Sequence, residues 1–141
     1  MHLNHLILAL AFIVTPIYFS TAVMAEEKPG EHKHAAGAGH KLGEITLGGT
    51  TFTVELEGHV HAGEECEVKL TPKGAIPAGV LRGWIGDESG KGSVKGKAHK
   101  EDNALCVHAE APKPIPADAK IWLELEVDGN KSKVSLALPK H

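Results

Sequence analysis

The chain has few aromatic residues, at 4 % of its composition. Beyond residue 25 only Phe52, Trp84 and Trp122 remain, so any core must be built from Val, Leu, Ile and Ala. An excess of basic charge is also missing: the formal net charge is −3, which argues against a nucleic-acid surface. No stretch repeats its apolar residues at helical spacing. Without a helix, no glycine-rich loop can open onto a helix N-terminus to cradle a phosphate. Ser89, Ser93, Ser132 and Ser135 fall in turns or on thin strands, with no nucleophile elbow nearby. Glu64, Glu65 and Glu67, like Glu124 and Glu126, are carboxylates on solvated strand faces, and no second carboxyl stands across a cleft as glycoside hydrolysis requires. These absences leave no support for an enzyme.

Residues 1–25 read as a signal peptide. Leu6 to Phe19 is an apolar run, and Val23 and Ala25 suit cleavage before Glu26. The run is shorter than the ~20 residues that span a bilayer and contains Pro16. The n-region is atypical of a signal peptide in carrying no Lys or Arg, and a retained anchor is the alternative. The expectation is a periplasmic or secreted protein that meets the membrane only through its signal peptide. The remainder has the length of one ordinary domain.

Residues 26–43 hold almost nothing apolar and cannot offset the entropy of ordering, so they read as a flexible arm. The arm carries His32, His34 and His40 on a Gly/Ala-rich tether. Residues 44–141 change texture, to short alternating segments separated by turn residues. Phe52, Val54 and Leu56 share one face of a strand, as do Cys66, Val68 and Leu70 of the next. Further strands follow at Val80 to Gly86, weakly at Ser93 to His99, and at Ala104 to Glu110. The last hairpin runs from Ile121 to Leu138 around Asp128-Gly129-Asn130. Seven or eight short strands at roughly 8 to 12 residue spacing predict an antiparallel, two-sheet, immunoglobulin-like sandwich; a small closed barrel is the alternative.

Cys66 and Cys106 lie on separate strands with Trp84 between them, an order that suggests an inter-sheet disulfide in an oxidising compartment. Strict alternation, however, puts Cys106 with Ala104 and His108, opposite the core face of Leu105 and Val107. Either a bulge re-phases the strand, or Cys106 and His108 form a soft-ligand pair suited to Cu(I) or Zn(II).

The sharpest local signal is His59-Val60-His61, in the Gly-bounded connection between the first two alternating runs. Imidazoles two residues apart on an extended chain stand about 6 to 7 Å apart, within reach of one metal ion. The pattern recurs as His32-Lys33-His34. Exposed turn histidines without a metal are the plain alternative.

The order of segments resembles a family. Gly39-His40-Lys41-Leu42-Gly43, Glu44-Ile45-Thr46-Leu47-Gly48, Phe52-Thr53-Val54-Glu55-Leu56 and the Ile121-to-Gly129 stretch are similar to the small periplasmic β-domain associated with heavy-metal (RND-type) efflux adaptors, also met as stand-alone secreted proteins. The resemblance implies a β-sandwich that handles metal in the periplasm, and carries over His40 alone. The two cysteines depart from that pattern, and the chain has no lipoyl-like or hairpin region of an adaptor.

The expected function is therefore an exported Cu or Zn carrier or chaperone, linked to metal handling or efflux, with His59, His61, His40, His32, His34 and His108 as candidate ligands. Its expected partners are the metal ion and a heavy-metal efflux system or other periplasmic protein, not nucleic acid. Imidazole ligands must be neutral to bind, so affinity should fall as pH drops through ~6.5. The alternative is a non-catalytic structural or protein-interaction module with incidental histidines.

Overall fold

The computed structural model describes residues 39–140. The calls on residues 1–38 and on His141, including the signal peptide, His32 and His34, lie outside the described residues. Nine strands run in chain order: β1 (His40–Leu47), β2 (Thr50–Glu57), β3 (Glu65–Pro72), β4 (Val80–Gly86), β5 (Gly96–Lys97), β6 (His99–Glu101), β7 (Ala104–Glu110), β8 (Lys120–Val127) and β9 (Asn130–Ala137). They form two antiparallel sheets, ordered β1-β2-β3-β7-β6 and β5-β4-β8-β9. The all-β, two-sheet expectation holds.

Alternation explains which face each strand buries. Phe52, Val54 and Leu56 of β2, Val68 and Leu70 of β3 and Val107 and Ala109 of β7 point inward from the first sheet. Leu81 and Ile85 of β4 meet them from the second sheet with Ile121, Leu123 and Leu125 of β8. Each fully buried aliphatic side chain contributes about 1.5–3 kcal/mol, and this aliphatic layer holds the sheets together with Phe52 as its only aromatic member.

Two hairpins close on two-residue loops in the left-handed region. Gly48 and Gly49 (φ 57° and 79°) join β1 to β2, and Asp128 and Gly129 (φ 50° and 79°) join β8 to β9.

The strand count is nine rather than seven or eight because the weak strand expected near Ser93 to His99 divides. Gly96 and Lys97 pair with Gly83 and Arg82 in one sheet, and His99 to Glu101 pair with Cys106 to Ala104 in the other. Between them Ala98 still donates its N–H to the Leu81 carbonyl at 2.9 Å. The chain thus changes sheets within one residue, at a corner. Lys100 and Glu101, beyond the expected end of that strand at His99, belong to β6, and the turn follows at Asp102 (φ 50°). β1 likewise starts at His40, four residues before the expected domain start at 44, because it pairs with β2 back to Leu56 across an irregularity between Lys41 and Gly43.

Candidate metal centre

Two groups of histidines gather on the first sheet, one at its end and one on its outer face. All the described histidines (His40, His59, His61, His99 and His108) belong to this sheet or its β2–β3 connection.

The first group forms where β1 begins and β2 ends. His40 lies opposite Leu56 in the β1–β2 ladder. Seven residues join β2 to β3, and Val60 anchors them by burying its side chain in the core at 8 % exposure. With Val60 turned in, His59 and His61 are left exposed on either side of it. Gly63 N–H donates to the Ala111 carbonyl and Ala111 N–H to the Glu64 carbonyl, both at 2.9 Å, fastening the connection to the chain after β7. The His40 and His59 rings are 5.1 Å apart, and those of His59 and His61 6.2 Å. Two imidazoles bound tetrahedrally to one ion, with metal–nitrogen bonds near 2.0–2.1 Å, place their centroids about 5 Å apart. The His40–His59 pair has that spacing, and His61 reaches it by moving about 1 Å closer. The anchoring of Val60, rather than continued strand pairing, sets the spacing of His59 and His61.

The second group lies across β3, β7 and β6. Cys106 sits opposite Lys69 of β3 on one side and His99 of β6 on the other. His108, two residues along β7, sits opposite Glu67. Residues two apart on a strand share a face, so His99 and Glu101, Cys106 and His108, and Glu67 and Lys69 all project from the outer surface. One ligand atom each from His99, Glu101 and Cys106 lies within 4.8 Å of the others. The Cys106 thiol donates to Glu101 Oε2 at 3.2 Å. Burial and the hydrogen-bonded Glu67 and Glu101 carboxylates push its pKa far above the ordinary thiol value. His108 stacks on His99, with centroids 5.3 Å apart and planes 10° from parallel. Its Nδ1 pairs with Glu65 Oε1 at 3.0 Å, which fixes the ring on which His99 rests.

The expected disulfide is not formed, as both cysteines are free. Cys66 lies opposite Ala109 and Cys106 opposite Lys69, three positions apart on neighbouring strands of the same sheet. An odd offset places them on opposite faces, about 10 Å apart along the strand, beyond the ~7 Å Cα separation a bridge tolerates. Cys66 faces inward, its thiol donating to the Ala109 carbonyl at 3.4 Å. Burial, with Glu65 nearby, pushes its pKa up to about 11. No bulge re-phases β7: Cys106 shares the outer face with His108 as strict alternation requires, yet is fully buried by its neighbours.

His99 and Glu101 were not singled out from the sequence. The signal available was the pair itself, two residues apart on a short segment, but their approach to Cys106 depends on the β6–β7 register. The outer face of the second sheet has different chemistry. Trp84 and Trp122 stack there at 6.4 Å, with Lys95 4.2 Å from the Trp84 ring centre and Lys133 5.5 Å from it. Trp84 Nε1–H donates to the Asp87 carbonyl at 2.8 Å, and Trp122 Nε1–H to the Gly86 carbonyl at 3.1 Å.

The fold and these groups define an all-β, two-sheet domain. Compared with known families, curated proteins and solved structures, the chain gives no match.

Proposed function

We propose that this is an exported metal-binding protein, a carrier or chaperone for Cu or Zn, that uses the histidines at the end of the first sheet. The observation that carries the reading is the convergence of His40 with His59, 5.1 Å apart although they belong to different segments of the chain. His61 is the third imidazole, and its exposure leaves the group open to exchange with a donor or acceptor. Open histidine ligands favour transfer, because an incoming ligand can replace one imidazole before the others dissociate. A role in heavy-metal handling or efflux follows from the resemblance described above. The strand order, β1-β2-β3-β7-β6 in one sheet and β5-β4-β8-β9 in the other, supports an immunoglobulin-like sandwich as the scaffold.

The test is a Cu(II) and Zn(II) titration of the protein and of a His40→Ala/His59→Ala/His61→Ala variant. The imidazole-to-copper spectrum should appear in the parent, and affinity should fall at least about tenfold in the variant. Equal affinities in the two proteins would sink the reading.

A further inference from the structure

The outer face of the first sheet carries a second constellation, chemically unlike the histidine group. Its ligands come from two strands held in fixed register. His99 of the edge strand β6 lies directly across from Cys106, and Glu101, two residues on, shares the face of His99. Nitrogen, sulfur and oxygen atoms thereby come within 4.8 Å of one another. The thiol is fully buried, whereas His99 and Glu101 are exposed. A cation can therefore approach past two exposed side chains and be held against the buried thiol.

Charge and donor type select among ions. A thiolate and the Glu101 carboxylate bring two negative charges, and the Glu67 carboxylate also bonds the thiol, so the surroundings favour a divalent cation. Countercharge matters at the buried thiol because uncompensated buried charge costs several kcal/mol. Sulfur, nitrogen and oxygen donors together match the ligands that Zn(II) accepts. Around this set, Glu67 and Lys69 project from β3, His108 from β7, and Glu65 holds His108 through Nδ1. Glu67 and His108 are thus placed to brace the ligands, as outer partners do in metal sites.

We propose that His99, Glu101 and Cys106 form a Zn(II) site on the sheet face, distinct from the histidine group at the sheet end. On binding, the Cys106 S–H bond breaks, a sulfur–zinc bond forms, and the proton passes to solvent. No oxidation state changes. The site stands on its own ligands and does not require the carrier function proposed above.

Co(II) makes the site visible, since a thiolate bound to cobalt gives an intense near-ultraviolet charge-transfer band that imidazole and carboxylate do not. Titration of the full chain under reducing conditions should produce this band, and added Zn(II) should remove it. Cys106→Ser should abolish the band while Cys66→Ser keeps it. His99→Ala, at an exposed position, should weaken Co(II) binding at least about tenfold. The His40→Ala/His59→Ala/His61→Ala variant should leave the band unchanged, so failure of one site is distinguishable from failure of the other. The proposal is overturned if the parent gives no band, if the band survives in Cys106→Ser, or if His99→Ala binds Co(II) as tightly as the parent. In those cases the Cys106–Glu101 hydrogen bond is a structural contact only.

Discussion

The corner at which the chain changes sheets depends on a position that has no room for a side chain. Gly96 of β5 faces the backbone of β7: a methyl group placed on it would overlap the His108 carbonyl oxygen, with the carbonyl carbon at 2.8 Å and Val107 Cγ1 at 3.4 Å. An overlap with a flexible side-chain end is relieved cheaply, but a backbone carbonyl of β7 moves only with its strand. Overpacking typically costs 1–3 kcal/mol, and the backbone clash puts Gly96→Ala near the upper end, about 3 kcal/mol. For a domain of about 100 residues, each kcal/mol lowers the melting temperature by roughly 4–8 °C, giving a loss of roughly 12 to 24 °C. Thermal unfolding followed by tryptophan fluorescence measures this directly, since Trp84 lies on the neighbouring strand β4. Gly74→Ala is the control: an added methyl there meets nothing within 4 Å, so a change within about 0.5 kcal/mol is expected. A Gly96→Ala protein melting within about 3 °C of the parent would refute the argument, because that shift corresponds to only ~0.5 kcal/mol.

Other outcomes follow from the same geometry. Native Cys66, with its pKa pushed up to about 11 from 9.0, should alkylate near pH 8 about a hundredfold more slowly than an ordinary thiol, and unfolding should erase the difference. The sign for stability is also set: the folded state holds this proton more tightly, so the contribution is complete below pH ~9 and is lost as pH rises toward 11. Glu44 behaves in the opposite sense. Its hydrogen bond and ion pair with Lys73 at 2.6 Å hold its carboxyl below the usual range, so its contribution is present above pH ~4.5 and is lost on acidification through the lowered value. Glu44→Gln should flatten the acid limb of the stability profile, and added salt should do so in part. Trp84→Phe removes the donor to the Asp87 carbonyl and should cost about 1 kcal/mol or more by denaturant titration; an unchanged midpoint would count against that bond. Non-reducing mass measurement of the purified chain should show no intramolecular loss of two hydrogens.

Most of the scaffold was legible because period-two alternation marks strands that are buried on one side. Phe52, Val54 and Leu56, or Ile121, Leu123 and Leu125, leave little choice of inward face, and all six are buried. The Asp128-Gly129 turn was readable for a similarly local reason, since its residues adopt positive φ. Legibility failed where the outcome depended on pairing between distant segments. Residues 96–101 contain two lysines and a histidine and no large apolar side chain, so nothing local shows that the segment serves two sheets. The His59-Val60-His61 pattern was visible, but the approach of His40 needed the β1–β2 register to take it back to Leu56. The His99–Glu101–Cys106 group was hidden for the same reason.

The cysteines show how firmly register decides chemistry in this fold. An inter-strand bridge would need Cys106 to face inward beside Cys66, which requires β7 to slip by an odd number of residues against β3. Such a slip turns Val107 and Ala109 out of the core and turns His108 and Glu110 into it. Burying Glu110 alone, without a partner, costs several kcal/mol before the lost aliphatic packing is counted. That penalty is large beside the typical 2–4 kcal/mol that a disulfide contributes. The same alternation that keeps Cys66 inside therefore holds Cys106 outside. There its thiol meets carboxylates and an imidazole rather than a second sulfur, so the residue that first suggested a structural bridge shares, through its register, the outer face of His99 and Glu101.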